Sequence, residues 1–448
     1  MTKYLITNVN IVNDGQQFPG HVWIKGERIV RVSHDLAVPD VPPGTIIIDG
    51  KNKLLLPGVI DDQVHFRDPG LTHKGDLYTE SKAAVAGGIT SFMEMPNTLP
   101  QTTTNLALEE KFEKASKKSL ANHSFYLGAT NDNLKELQNV NRERACGIKV
   151  FMGASTGNML VNNPRTLAGI FAIPDIRIAV HCEDENTIRK NLAEYRGKFG
   201  DNIPVEYHPS IRSEEACYIS SSYAVSLAQK HNTKLHLIHV STARELELLQ
   251  ETKNHSKKQI TSEVCIHHLW FEDSDYTDKG TLIKWNPAIK TAADRDALIQ
   301  GILDNKIDII ATDHAPHTLE EKDNNYLNAP SGGPMVQHSL PVMLEFFHRG
   351  IIPIETIVKK MCHAPADIFQ VLDRGYIREG YYADLVIIDP NDRWNINKQN
   401  ILYKCGWSPL EGTNLNSRIT HTFVNGHLVF DNGIFNESKK GMALEFNR

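Results

Sequence analysis

Three histidines and an aspartate, far apart in the chain, are the residues best suited to chemistry: His65, His181, His239 and Asp313. Each closes a short β-rich run. Imidazoles and a carboxylate together suit a divalent ion of the zinc kind. A single histidine at a strand end is more often a hydrogen-bonded structural residue. Three of them with an aspartate, each at the end of a different run, are better explained as metal ligands. The first lies in Asp61-Asp62-Gln63-Val64-His65-Phe66-Arg67. Side chains alternate along a strand, so Asp61, Gln63, His65 and Arg67 are predicted to share one face, with Asp62 turned outward. Lys149 sits in another run, and by spacing alone it reads as an ion-paired lysine. An ammonium cannot ligate a cation unless CO₂ has converted it to a carbamate. His267 and His268 read as structural or as supporting the site from behind. Alternation turns Cys182 away from the His181 face, and neither it nor Cys265 is taken as a ligand. His208, His231, His236 and His363 read as structural or surface residues.

Such residues need a scaffold that brings distant strand ends together. From Pro57 to about Phe369, eight strand-like runs alternate with helical stretches: 58–64, 90–95, 123–129, 147–152, 177–181, 234–240, 259–266 and 307–312. Helices are predicted over 76–86, 106–118, 213–231 and 243–252. Alternation of this kind implies a parallel sheet, and eight repeats imply a (β/α)₈ barrel of the TIM type. In that architecture the active site lies at the C-terminal ends of the strands. A doubly wound open sheet is the rival, but no GxGxxG opens a helix after a strand. Residues 3–12, 21–33 and 45–55 are β-rich and punctuated by Asp14-Gly15, Lys25-Gly26 and Asp49-Gly50, an antiparallel signature. Similar texture returns after Gly375, at 376–377, 383–389, 419–424 and 427–430. The ends are therefore expected to form one small β-sandwich domain, 1–56 with 372–448, beside a catalytic barrel of 57–371. The polar stretch 318–337 follows Asp313 directly and is expected to border the site, as long loops in compact domains are usually functional or disordered.

Composition bounds the function. The chain has 448 residues, 40% of them hydrophobic, which excludes wholesale disorder. A net charge of −6 argues against a broad nucleic-acid footprint. Six cysteines without a CxxC pair exclude a disulfide scaffold and a zinc ribbon. Met1 leads directly into a strand-like alternation, and no apolar run reaches the ~18 residues of a membrane helix. The expectation is a cytoplasmic protein acting on a small molecule, without membrane or nucleic-acid partners. A homodimer is the simplest assembly to test.

These motifs carry a resemblance. Leu55-Leu56-Pro57-Gly58-Val59-Ile60-Asp61 is similar to the barrel entry of the amidohydrolase superfamily. Val64-His65-Phe66-Arg67-Asp68-Pro69-Gly70 resembles the first metal motif in its dihydroorotase form. Met95-Pro96-Asn97-Thr98, His181-Cys182-Glu183-Asp184, His239-Val240-Ser241-Thr242, Asn286-Pro287 and Thr312-Asp313-His314-Ala315-Pro316-His317 follow in that family's order. Gly380-Tyr381-Tyr382-Ala383-Asp384-Leu385 resembles the return to the β domain. The match runs nearly end to end. The resemblance implies a cyclic amide hydrolase that interconverts N-carbamoyl-L-aspartate and L-dihydroorotate in pyrimidine biosynthesis. It assigns His65, His181, His239 and Asp313 to metal, and His65, Arg67, Asn97, Asn286 and His317 to substrate. Asp313 is also the implied general acid/base. Lys149 looks like the superfamily's carbamylated bridging lysine. The implied cofactor is zinc, one or two ions. The family motif on the first strand is Asp-x-His-x-His, and here Gln63 replaces its first histidine, a departure that bears on the second ion. Another is Ala288-Ile289-Lys290, where the family tends to have Pro-Leu-Arg. A hydantoinase, dihydropyrimidinase or allantoinase is the alternative within the superfamily. An inactive scaffold for a transcarbamoylase is the alternative outside catalysis.

Overall fold

The structure, a computed structural model, describes residues 2–35, 37, 41–153, 158–252 and 254–448. All eight expected barrel strands are present: β1 Val59–Val64, β2 Ile89–Glu94, β3 Asn122–Gly128, β4 Gly147–Phe151, β5 Ile178–His181, β6 Leu235–Leu237, β7 Ile260–Cys265 and β8 Ile309–Ala311. They form one sheet in sequence order, each pairing in parallel with the next. A parallel bridge between Val64 and His314 brings the last strand back to the first. The fold is thus a TIM-type barrel with a β-sandwich domain from the chain ends. Nearly every residue of these strands is buried, as expected where helices cover a parallel sheet.

The helices start where their caps place them. Asp76 accepts from the Tyr78 and Thr79 amides at the start of Leu77–Ala86, and Ser213 caps Glu214–His231. The expected helix over 243–252 is only a tight turn, Arg244–Leu248. Its acidic residue Glu245 is buried and accepts from the Ser241 amide and the Ser221 and Thr242 hydroxyls. That network holds the turn after β6 where a longer helix would stand.

Nine strands from the two ends form the second sheet. The Asp14-Gly15 turn has φ of 51° and 74°, the left-handed pair a tight hairpin requires. The antiparallel expectation needs correction: Lys3–Asn13 pairs antiparallel with Gln16–Lys25 but parallel with Thr45–Asp49 and Leu54–Pro57. Tyr376 and Ile377 lie outside the strands. Leu54–Pro57 continues almost directly into β1. Gly58 makes that passage possible, since a Cβ there would lie 2.1 Å from Thr90 Oγ1.

One buried contact joins β1 to the end of β8. Asp61 Oδ2 accepts from the Thr312 hydroxyl at 2.6 Å, and Oδ1 accepts from the amides of Gln63 and Thr312. Burial pushes the Asp61 carboxyl up to about 7, against these hydrogen bonds. Thr312→Val keeps the shape but strands a buried carboxylate oxygen, which costs ~1–3 kcal/mol. Urea unfolding is expected to show a lower midpoint for this variant. An unchanged midpoint would mean the contact adds nothing. Among the described residues, no helix is long and apolar enough to cross a membrane.

Candidate active site

The strand ends open into a cavity of about 580 Å³. Its walls include His65, Arg67, Asn97, Lys149, His181, His239, Asn286, Asp313 and His317, together with Gln63. Every residue proposed from the sequence as ligand, substrate contact or acid/base therefore reaches one pocket. Pro330, Ser331 and Gly332 also line it, so the stretch after Asp313 borders the site. Two buried lysines hold that stretch in place. Lys322 donates to the carbonyls of Pro330 and Gly332 at 2.8 Å, and Lys284 to those of Tyr326 and Ala329 at 2.6 Å.

The donor atoms form two pairs. His65 Nδ1 lies 2.7 Å from Asn97 Oδ1, and an amide oxygen only accepts, so Nδ1 carries the proton. His65 Nε2 then presents a lone pair to Asp313 Oδ1, 3.1 Å away. Gln63 Nε2 donates to the same oxygen at 3.1 Å. In the second pair, His181 Nε2 donates to Glu183 Oε2 at 3.0 Å, leaving Nδ1 facing His239 Nε2 at 2.9 Å. Burial lowers the pKa of all three imidazoles, which favours their neutral, ligating form. His65 Nε2 and Asp313 Oδ1, acceptors that face one another with no proton between them, fit a bound cation.

The backbone is strained at the same places. Arg67, His239 and Asp313 have φ of 68°, 41° and 44°. Left-handed conformations in such residues cost ~1–3 kcal/mol each and gather at functional sites. The surroundings enforce them: Glu263 Oε1 accepts from the His239 amide, and Asp61 holds Thr312 beside Asp313.

Lys149 is fully buried. Its Nζ donates to the Val150 carbonyl at 3.2 Å and lies 4.1 Å from the centre of the Phe151 ring. No carboxylate pairs with it among the described residues, so the simple ion-pair reading fails. Burial pushes the ammonium down to about 7, against the attraction of Cys182, Glu263 and Asp313.

Arg67 is also buried, at 7% exposure. It has no ion-pair partner among the described residues. Its neighbours Asp68 and Glu94 pair instead with Lys114, Lys118 and Lys111. Arg67 Nε donates to the Pro316 carbonyl, and one terminal nitrogen lies 3.1 Å from His317 Nε2. Burial brings the guanidinium down to about 10 and His317 down to about 3. Asn286 Oδ1, also in the pocket, is buried without a hydrogen-bond partner among the described residues.

Asp62 corrects the alternation argument. The ladder slips between Asp61 and Val64, and Asp62 points into the barrel interior. Its Oδ2 lies 3.2 Å from His236 Nε2, which is also 3.2 Å from Glu263 Oε2. The sequence reading also missed the residues that aim the ligands. Glu183 orients His181 and is itself held by Arg212. Burial would raise the Glu183 carboxyl, but Arg212 and His181 hold it down to about 2. The i, i+2 spacing of His181 and Glu183 was the available signal. Glu263 carried no such signal.

The sequence profile of the amidohydrolase family matches residues 54–429. The chain belongs to the amidohydrolase family. It is 31% identical over 418 residues to a dihydroorotase of Methanosarcina acetivorans, covering 91% of this chain and 88% of that one. A dihydroorotase of Ehrlichia canis is also 31% identical, covering 92% and 91%. Among solved structures, an L-hydantoinase from Arthrobacter aurescens superposes with a TM-score of 0.93 at 25% identity, covering 99% of this chain and all of that one. A dihydropyrimidinase from Brevibacillus agri, at 23% identity and a TM-score of 0.88, shares the fold. This amidohydrolase is therefore a cyclic amide hydrolase by class.

Proposed function

We propose that this amidohydrolase is a zinc-dependent dihydroorotase of the cytoplasm, closing N-carbamoyl-L-aspartate to L-dihydroorotate and reversing that step. One observation carries the reading: Arg67 is a buried guanidinium at the wall of the pocket that pairs directly with no carboxylate among the described residues. Such a group calls for an anion, and dihydroorotate brings a carboxylate that must be held but not attacked. Arginine offers it a planar, two-pronged fork. Asn97, His317 and Asn286, whose Oδ1 has no partner among the described residues, add hydrogen-bonding positions around the ring. Hydantoins need no such clamp.

The facing lone pairs of His65 and Asp313, with His181 and His239 in contact in the same pocket, fit a divalent ion, with Lys149 as a further ligand once carbamylated. A bound ion there supplies Lewis-acid chemistry, bringing the pKa of water to roughly 7 and polarising the amide carbonyl. The chain's own groups do the rest. In ring opening, Asp313 accepts a proton from the attacking water and returns it to the leaving ring nitrogen, a general base and then a general acid. Its proximity to both His65 Nε2 and Gln63 Nε2 keeps the carboxylate aimed into the pocket. Ring closure reverses each transfer, and one molecule of water is lost.

Purified full-length protein loaded with zinc is expected to hydrolyse L-dihydroorotate, to lose that activity to a chelator, and to regain it with zinc. Metal-loaded protein that turns over hydantoin but not dihydroorotate would defeat the reading. For Lys149, only the neutral amine attacks CO₂. A base held down to about 7 becomes neutral as pH rises through that value. Reactivation of chelated, CO₂-depleted enzyme by zinc at a fixed dissolved CO₂ concentration should therefore quicken as pH is raised through about 7. Lys149→Ala should lose bound metal and turnover together. A pH-independent rate, or full metal in the variant, would exclude the carbamate.

A further inference from the structure

Behind Gln63 lies a second set of donor atoms, unused by the chemistry above. β7 ends at Cys265, and the chain turns into the short helix Ile266–Trp270, which carries His267 and His268. One ligand atom from each of Cys265, His267 and His268 lies within 4.8 Å of the other two, and all three residues are buried. His268 Nε2 lies 3.1 Å from the Pro287 carbonyl oxygen, a pure acceptor, so that nitrogen carries the proton and Nδ1 is a bare lone pair. Among the described residues Nδ1 has no hydrogen-bond partner, and neither nitrogen of His267 makes a well-formed one, its weak partner being the Thr312 backbone. The His267 ring is clamped flat on Trp285, with centroids 4.4 Å apart and planes 13° from parallel. A buried acceptor left unpaired costs ~1–3 kcal/mol. Here two such acceptors, Nδ1 of His268 and the unprotonated nitrogen of His267, lie beside a thiol.

Gln63 joins this set to the pocket. Its Nε2 donates to Asp313, while its Oε1 accepts from Cys265 Sγ at 3.6 Å. A thiolate with two imidazoles is the donor set that zinc-class ions prefer and that magnesium and calcium do not. Zinc takes sulfur at ~2.3 Å and nitrogen at ~2.0–2.1 Å, so small side-chain movements would close the set.

We propose that Cys265, His267 and His268 form a further zinc-class site behind Gln63, with the Gln63 amide oxygen as its fourth donor. Binding forms a sulfur–metal bond and releases the Cys265 thiol proton to solvent, with no change of oxidation state. The site does not rest on the dihydroorotase reading, and turnover is not its readout.

Cobalt(II) is the probe. The ligands around the catalytic pocket include no sulfur, so full-length protein saturated with cobalt should show a sulfur-to-cobalt charge-transfer band in the near ultraviolet only if a cysteine ligates. Cys265→Ala should abolish the band and lower bound metal by one ion per chain, whereas Cys182→Ser should keep both. If Cys265→Ala does not fold, Cys265→Ser, closer in shape, should give the same loss with the wild-type circular dichroism. Absence of the band in the wild-type protein, or its survival in the Cys265 variants, would overturn the proposal.

Discussion

Asp313→Asn is expected to lower kcat for dihydroorotate hydrolysis by ~10²–10⁴-fold, the usual worth of a positioned acid/base group. The substitution removes the proton acceptor but keeps an oxygen on the atom position that His65 Nε2 and Gln63 Nε2 face. KM should change far less than kcat, because Arg67 and Asn97, not Asp313, carry the substrate contacts in this reading. Metal content, measured on the same sample, separates loss of the proton shuttle from loss of a ligand. A variant with full metal and a kcat within an order of magnitude of the parent would remove Asp313 from the proton-transfer role.

The second large effect concerns Arg67. Arg67→Met should lower kcat/KM for dihydroorotate by roughly 10²–10³-fold, since truncating one partner of a buried charge pair costs about 2–5 kcal/mol. Its effect on folding should be modest, the removal of a buried charge offsetting the hydrogen bonds lost to the Pro316 carbonyl and His317. The guanidinium has no carboxylate partner among the described residues, so the apolar variant removes a buried charge without orphaning another. The loss should also be specific, with weak turnover of an uncharged hydantoin changing little. Equal losses on both substrates would make Arg67 a structural residue rather than an anion clamp.

The barrel was legible because each strand reads as an apolar run closed by a polar strand end, and those ends carry the chemistry. His65, Lys149, His181, His239 and Asp313 could be named from that pattern alone or with a family's help. What escaped depends on details a periodic pattern does not hold. Asp62 was assigned outward by strict alternation, and the slip in the ladder beside it turned it inward. The expected helix after β6 is displaced by Glu245, whose buried hydrogen bonds favour a turn. Lys74 approaches His317 Nδ1 at 3.0 Å from 243 residues away, a meeting that sequence spacing cannot express. Glu263 supports His239 from the neighbouring strand, and only the register between β6 and β7 reveals it.

The joint between Asp61 and Thr312 spans 251 positions of the chain. A ribosome adding ~5–20 residues per second would deliver the two partners roughly 12–50 s apart. Throughout that interval His65 exists but its carboxylate neighbour does not, and the newborn polypeptide has only fragments of a binding cup. If the proposed zinc enzyme is what this chain makes, loading with metal is an act of the finished molecule, and cells starved of zinc while the protein is being made should still yield apoprotein that becomes competent when the ion is returned.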